Sequence, residues 1–386
     1  MSRKTLLAAV TAMAGLLVSG CSQGLLAGSD DGAGQDGPVI LGMAVPMSGT
    51  SADIGPYMKN GAQLAIDEIN AKGGVLGRDL ELRVEDDACD PKTAVAAANK
   101  LVTAKVAVSV GGYCSGATLP TLPVFAKAKI PMVIPAANSD ELYQQGIKST
   151  FLINGTGTQQ ADAALAWMED KKAGRVAVVH DSTSYAKNIA TLMGPRLKKD
   201  GGPEQVAALS LTPGESDYSG VVGALLDEKP DFVYWTGYDK EGGLLVRQLR
   251  QAGYKGTIMV ADGAVSDSLA KIAGSGNADG VLATMTQTPD TIKGGEKWVA
   301  AYRKKFGARP GPFSTQSYDA VRVAAEAIGK AGSTESADVV AELEGLKGFP
   351  LFSGPLTFTK DHTLSQGGFV VLERRGGRFV LADSGK

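Results

Sequence analysis

From residue 39 the chain alternates short apolar runs with segments of helical periodicity, and near residue 150 the alternation starts over. "VILGMAVPM" (39–47) reads as a buried strand, and Met58, Ala62, Ala65, Ile66 and Ile69 then share one helical face that Gly73 and Gly74 stop. A strand at 79–87, a helix at 91–102, a strand at 106–110, a helix over about 117–128 and a strand at 130–135 follow. The second series gives strands at 150–154, 175–181, 205–211, 231–237, 256–262 and 280–286, with helices at 158–171, 185–199, 218–228 and 240–252. Such alternation with short connections predicts parallel sheets covered on both faces. A single core rarely grows past roughly 250–300 residues. Two such series in 386 residues therefore predict two similarly built lobes. The tail holds helices at about 294–306, 315–332 and 336–345 and small strands at 355–359, 368–373 and 378–383. That is too little for a third domain, so it is expected to complete the first two.

The N-terminus reads as a processing segment. Arg3 and Lys4 precede "LLAAVTAMAGLL" (6–17), an apolar stretch too short to span a bilayer stably. It ends in "VSGC" (18–21), which resembles the lipobox of bacterial lipoproteins. That resemblance implies cleavage of residues 1–20 and acylation of Cys21, the alternative being a plain secretory signal with an incidental cysteine. Residues 21–37 read as a flexible tether reaching roughly 20 Å by random-coil scaling. The expected location is extracytoplasmic, periplasmic or on the outer face of the cell membrane, held by a lipid anchor at Cys21. Three cysteines is an odd count for an exported chain. With Cys21 acylated, an oxidising compartment favours pairing Cys89 with Cys114 over leaving two free thiols.

Composition excludes several classes. The net charge is −2 with no basic tract, so no nucleic-acid partner is expected. Only two histidines are present and no Cys/His cluster has metal-ligand spacing, so no zinc site is expected. No phosphate-binding G-x-x-x-x-G-K-[ST], no G-x-S-x-G and no G-x-G-x-x-G between a strand and a helix occurs, and no cofactor is implied. No DNA-reading headpiece precedes the first lobe, so a repressor is not expected.

In parallel α/β sheets, ligands sit beyond the carboxyl ends of the strands. "GGYCSGAT" follows the strand at 106–110, and "PAANSDEL", with Ala136, Ala137 and Asn138, follows the strand at 130–134. In the second series "STSY" follows 175–181, and "WTGYDKE" and "ADGAVSD" follow two later strands. Helix N-termini at such ends suit a carboxylate, and Ser115 and Asn138 add side-chain donors. Asp262, Tyr185 and Tyr238 form the complementary set, an anion and two hydroxyls suited to an ammonium group. Each has a plainer reading too: Ser115 and Asn138 as helix caps, Tyr185 as a packed ring, Asp262 as a turn residue. A hydrolase using Cys114 or Ser115 would need a nearby base. Neither His180 nor His362 falls in a loop expected beside Ser115.

The blocks "NGAQLAIDEINAKGGVLGRDLELRVEDDACDPKTAVAAANKLV", "YCSGATLPTLPVF", "VVHDSTSYAKNIA", "DFVYWTGYDKEGGLLVRQLRQAG" and "SYDAVRVAAEAI" run in order through the chain. Together they resemble the leucine/isoleucine/valine-binding proteins that serve branched-chain amino-acid ABC importers, over most of residues 39–375. The resemblance implies a type I periplasmic-binding fold: two Rossmann-like α/β lobes joined by a three-stranded hinge of crossovers, closing on ligand. It implies an N-terminal lobe of 38–156 plus 287–363 and a C-terminal lobe of 157–286 plus 364–386.

It also implies residue roles. Cys89 and Cys114 match the family's disulfide, and Ser115 the serine that holds the ligand carboxylate through hydroxyl and backbone N–H. The Ala136 carbonyl matches an acceptor for the ammonium, with Ala137 beside it. Tyr185 and Tyr238 match second-lobe tyrosines. Asn138 stands where threonine is usual, and Asp262 where a glutamate commonly pairs with the ammonium. Ile54 replaces a usual aromatic and Tyr113 a usual aliphatic, which reshapes the side-chain pocket while keeping it apolar. The expected activity is non-enzymatic binding of a branched-chain or other apolar amino acid by a monomer that delivers it to ABC permease subunits. The alternatives are another solute in the same fold (an aromatic acid, an amide or a polar amino acid) and a sensor that docks to a membrane receptor.

Overall fold

The computed structural model describes residues 37–197, 201–286, 288–289, 291–292 and 294–383. The signal segment, Cys21 and all of the tether except Gly37 lie outside the described residues.

The first series builds β1 (Val39–Val45), α1 (Gly55–Asn70), β2 (Leu80–Asp86), α2 (Pro91–Thr103), β3 (Val108–Ser109), α3 (Ser115–Thr118), α4 (Leu122–Lys127), β4 (Met132–Ile134), α5 (Glu141–Gln144) and β5 (Thr150–Leu152). Its five strands pair in parallel in the order β2-β1-β3-β4-β5, so the strand at 150–154 that the sequence pattern assigns to the second series instead closes the first sheet beside β4. Buried side chains fill β1, β3, β4 and β5, as a sheet covered on both faces requires, while the edge strand β2 buries only Leu80. The helix predicted over 117–128 is broken in two by a 3₁₀ turn at Leu119–Thr121. Pro120 and Pro123 cannot donate to the preceding turn, so one continuous helix cannot run through them.

The second series builds α6 (Gly157–Asp170), β6 (Arg175–His180), α7 (Ser184–Arg196), β7 (Glu204–Ser210), α8 (Ser219–Asp227), β8 (Phe232–Trp235), α9 (Asp239–Gln251), β9 (Thr257–Val260), α10 (Asp267–Ala273), α11 (Ser275–Ala278) and β10 (Leu282–Thr286). Then come α12 (Glu296–Phe306), α13 (Ser314–Ala331), α14 (Ser336–Gly345), β11 (Lys347–Leu351), β12 (Gly354–Thr357), β13 (Phe369–Arg375) and β14 (Arg378–Leu381). The second sheet has the order β14-β13-β10-β9-β8-β6-β7, parallel except for β13, which pairs antiparallel with both β10 and β14. The tail therefore divides. Strands β13 and β14 extend the second sheet, while α13 lies along α1 and carries the β11–β12 hairpin, whose first strand the sequence reading missed.

Local chemistry starts the helices that frame the space between the sheets. Asp90 caps α2 by accepting from the Thr93 N–H at 2.8 Å, with Pro91 at the first helical position. Thr156 and Gln159 form a capping box at the start of α6, the first element after the chain leaves β5. Thr183 caps α7 and Ser266 caps α10. The chain crosses between the sheets after β5, after β10 and before β13. The first and third crossings lie side by side. The Leu152 N–H donates to the His362 carbonyl at 2.9 Å, and the Gln159 amide donates to the Leu364 carbonyl at 3.0 Å.

Candidate functional site

The carboxyl ends of β3 and β4 deliver two loops from the first sheet. Gly111 and Gly112 let the chain turn off β3, and Gly112 holds a φ of 109°, a region that side chains with a Cβ avoid. Tyr113, Cys114 and Ser115 follow. Cys114 is joined to Cys89 by a disulfide with a Cα–Cα distance of 5.5 Å. The bridge ties the Ser115 turn to the loop that leaves β2, at Ala88 and Cys89, both with positive φ. The second loop is pinned to the first: the Ala137 N–H donates to the Gly112 carbonyl at 3.1 Å.

Ser115 is buried, and its hydroxyl oxygen accepts from the backbone N–H groups of Asn138 (3.3 Å) and Ser139 (3.2 Å). With both lone pairs engaged, its single proton is the group left to present to a ligand. The Ser115 backbone N–H lies beside the Tyr238 hydroxyl. Because α3 is only four residues long, attraction for an anion here comes from these local donors rather than from the field of a long helix. The Ala136 carbonyl accepts from the Asn154 amide at 2.8 Å and keeps a second lone pair.

The second sheet contributes Tyr185 from the start of α7, Tyr238 from the β8–α9 junction and Asp262 from the 3₁₀ turn after β9. The Asp262 carboxylate is buried, and its donors are all neutral. Tyr185 Oη donates to Oδ1 at 2.5 Å, Gln160 Nε2 to Oδ1 at 2.9 Å, and Asn138 Nδ2 reaches Oδ2 at 3.5 Å. Burial pushes the Asp262 carboxyl above its ordinary range, against the lowering effect of Tyr185, Gln160, Asn154 and the Gly263 N–H. A buried carboxylate held by hydrogen bonds alone is a site that a cation would complete. Burial also pushes the hydroxyls of Tyr113, Tyr185 and Tyr238 well above the ordinary phenol range, so all three act as neutral donors and acceptors.

The rings form one wall. Tyr185 and Tyr238 have centroids 5.2 Å apart, Tyr113 and Tyr238 6.0 Å, and Tyr113 and Phe313 5.3 Å. Tyr113 Oη also reaches the Gly263 carbonyl across the cleft at 3.4 Å. Gly263 has no room for a side chain, since an added Cβ would lie 2.8 Å from the Tyr185 ring.

The structure thus brings together Tyr113, Ser115, Ala136, Ala137, Asn138, Tyr185, Tyr238 and Asp262. Ile54 stands apart from the polar network, a buried aliphatic at the entry to α1 within the apolar cluster that also holds Tyr113 and Phe313. The histidines lie elsewhere. His180 Nδ1 accepts from the Ser182 N–H, and His362 stacks on Phe151 with Nε2 at 2.9 Å from Glu344. Sequence reasoning missed Gln160, Asn154 and Phe313. The capped helix start "TGTQQ" directly after a crossing could have flagged Gln160. Nothing in the sequence distinguishes Phe313. Among the described residues no group of three or more His, Cys, Asp or Glu could hold a metal ion.

A family model described as periplasmic binding protein matches residues 38–377. The chain belongs to the periplasmic-binding-protein family. This is a family of extracytoplasmic binding proteins, not of enzymes. The chain is 35% identical to the Leu/Ile/Val-binding protein BraC3 of Rhizobium johnstonii, over 89% of this chain and 94% of that one. It is also 35% identical to the leucine-specific-binding protein of Salmonella typhimurium, over 90% and 91% of the two chains. Among solved structures it resembles the branched-chain amino acid transporter substrate-binding protein LivJ of Streptococcus pneumoniae in complex with isoleucine. The TM-score is 0.80 and the identity 26%, covering 89% of this chain and 97% of that one. In this periplasmic-binding protein the polar loops at the strand ends of both sheets face one cleft.

Proposed function

We propose that this protein is the substrate-binding component of an ABC importer, taking a branched-chain or other apolar amino acid between its lobes and delivering it to the permease. The observation that carries the reading is Asp262, a buried carboxylate with only neutral donors, which faces a first-lobe loop whose Ser115 hydroxyl keeps a free proton and whose Ser115 N–H and Asn138 amide can be handed over to a ligand. A zwitterion fits both halves, because each buried charge then has an opposite or hydrogen-bonding partner. Asp262 and the Ala136 carbonyl take the ammonium. The Ser115 hydroxyl and N–H, with Asn138, take the carboxylate. Tyr113, Ile54 and Ala137 shape the wall against the side chain, and Tyr185 and Tyr238 orient and cover the polar end.

Binding is an exchange of partners. The ligand carboxylate takes the Ser115 N–H from the Tyr238 hydroxyl, and the ammonium takes Asp262 from the Asn138 amide. Because both lobes contribute, the ligand is held fully only when the cleft is shut, so it shifts the population toward closure. Residues 38–156 with 287–363 and 157–286 with 364–386 are the two moving lobes. Cys21, beyond the described residues, carries the lipid anchor, and residues 22–37 let a monomer reach the permease with both lobes.

A second reading, the same cleft holding an aromatic acid, an amide or a polar amino acid, draws on Tyr113, whose hydroxyl adds a hydrogen-bonding group to an otherwise apolar wall. Thermal-shift screening against the twenty amino acids and a panel of small carboxylic acids separates the two. Stabilisation by leucine, isoleucine or valine supports the first, and stabilisation by an aromatic acid alone supports the second. A flat panel refutes both. For the anchor, Cys21→Ser should release the protein from the membrane fraction.

A further inference from the structure

Gln160 is fully buried in the first turn of α6, where the chain has just crossed from the first sheet to the second. Its side chain bonds in both directions. Nε2 donates to Asp262 Oδ1 at 2.9 Å and to Thr284 Oγ1 at 3.0 Å, while Oε1 accepts from Asn138 Nδ2 at 2.9 Å. The orientation of the amide is fixed by its neighbours. A carboxylate only accepts and the Asn138 NH₂ only donates, so a flipped amide would set oxygen against oxygen and N–H against N–H. Thr284 is itself held by the Tyr234 hydroxyl at 3.0 Å, which anchors the amide to the floor of the second sheet.

We propose that Gln160 is a positioning residue for the ammonium end of the ligand: its amide holds Asp262 Oδ1 and orients Asn138, leaving Oδ2 for the incoming cation. The proposal rests on the reading of Asp262 as the ammonium acceptor. Tyr185 and Gln160 share Oδ1, so the carboxylate cannot rotate without losing two donors. The same amide keeps Asn138 aimed into the cleft, which links the acceptor for one end of the zwitterion to a donor for the other. Removing the amide frees both groups at once, and a rotated carboxylate loses the alignment a charge-assisted bond needs.

The test compares wild type, Gln160→Leu and Gln160→Glu by calorimetry with leucine, isoleucine and valine between pH 5 and 8. Asp262 is followed in parallel by carboxyl-carbon NMR in the protein without added amino acid. The hydroxyls facing Asp262 are Tyr185 from α7, Tyr234 from β8, Tyr238 from the β8–α9 junction and Tyr113 from the β3–α3 loop. All are pushed above the phenol range and do not titrate in this window. Asp239, which faces Tyr113 and is raised to about 6, is common to all three proteins, so the differences between them report Asp262.

Gln160→Leu should bind at least tenfold more weakly at pH 7. Its affinity should begin to fall at a higher pH than in wild type as the pH is lowered, and its Asp262 midpoint should rise. Gln160→Glu keeps the volume and the acceptor for Asn138 but sets a second carboxyl against Asp262, and the two repel or share a proton, so Asp262 loses its free charge or its orientation and the variant should not restore affinity. It also carries the test if the leucine variant does not fold. Wild-type affinity in Gln160→Glu, or a folded Gln160→Leu with an unmoved Asp262 midpoint, would overturn the proposal. A wild-type protein that binds none of the three amino acids overturns the functional reading instead, and the NMR midpoint still judges the hold of Gln160 on Asp262.

Discussion

The Tyr185 hydroxyl donates its one proton to Asp262 Oδ1 at 2.5 Å across 77 residues of chain, and its oxygen accepts the Gly263 N–H at 2.9 Å. This short charge-assisted bond fixes the carboxylate on which the proposed ammonium site depends. Asp262→Asn keeps the shape and removes the charge. It should weaken amino-acid binding by well over tenfold, since a buried ammonium would lose its counter-charge. The ligand-free variant should melt no lower than wild type, because a desolvated carboxylate has gone. Calorimetry and thermal melts on the same preparation read both effects, and unchanged affinity would remove Asp262 from the site.

Acidity should act in opposite directions on stability and on binding. Burial raises Asp87, Asp239 and Asp319 each to about 6 and raises Asp262 as well. Carboxyls in an unfolded chain titrate near ~3.9, so between about pH 4 and 6 the folded state holds more protons than the unfolded one. Stability of the ligand-free protein should therefore rise as pH falls from 7.5 to 5.5. Amino-acid affinity should fall once acidification protonates Asp262, because a neutral carboxyl no longer attracts an ammonium. Melting temperatures with and without leucine at the two pH values should converge. A ligand-free melting temperature that drops on acidification would contradict the assignment of these buried carboxyls.

The strand ends were legible because buried strands must be written in apolar residues and their loops in glycine and polar residues. The pattern thus places Ser115, Asn138, Tyr185, Tyr238 and Asp262 at strand ends, while Tyr113 is singled out only by the family resemblance. Gln160 is legible only as the start of a capped helix in "TGTQQ", because its partners Asn138 and Asp262 come from elements that meet at the crossing. Phe313 was hidden for another reason. Its φ of 61° is one that a sequence rule assigns to glycine or asparagine, yet packing against Tyr113 holds it there. The break in the helix after Ser115 is written in the sequence, since Pro120 and Pro123 each remove a backbone donor.

Reduction should loosen the fold more than the site. The bridge between Cys89 and Cys114 spans 25 residues, and closing such a loop stabilises by about 3.5 kcal/mol in the chain-entropy model. Cys89→Ser with Cys114→Ser should lower the denaturation midpoint accordingly, while affinity falls only a few-fold, because the Ala137–Gly112 and Ser115–Ser139 bonds still hold the turn. Thiol titration of denatured, unreduced protein should find neither cysteine free. Two titratable thiols from this pair would refute the bridge.

Tyr113 should govern which side chain is accepted. Its ring packs against Phe313 and Tyr238, and its hydroxyl is held at the Gly263 carbonyl. Tyr113→Phe removes one long hydrogen bond and should change affinity for leucine, isoleucine and valine by less than about threefold. Tyr113→Leu vacates ring volume and should improve phenylalanine relative to valine by about tenfold in competition calorimetry, as one or two methylene-sized contacts allow. An unchanged order of preference in Tyr113→Leu would assign selectivity to Ile54 and the rest of the wall.

Lobe closure should also be tunable away from the ligand. At the rim, Ser184 Oγ on α7 donates to the Glu141 carboxylate on α5 at 2.8 Å, and Asn188 Oδ1 accepts the Asp140 N–H at 3.2 Å. Farther round the cleft, Ser268 Oγ donates to Asp53 at 2.7 Å. All three join a residue that follows a first-sheet strand to a helix of the second series, so opening of the proposed lobes should break them. Exposed hydrogen bonds of this kind contribute about 0.5–1.5 kcal/mol each. Ser184→Ala combined with Ser268→Ala removes about 1–3 kcal/mol and should lower the closed fraction and weaken affinity by roughly 5- to 150-fold, with no change in the order in which amino acids are preferred. Small-angle scattering of the ligand-free double variant should show a larger radius of gyration than wild type, and saturating leucine should bring the two together. A double variant whose affinity and scattering match wild type would show that the cleft closes on its ligand contacts alone.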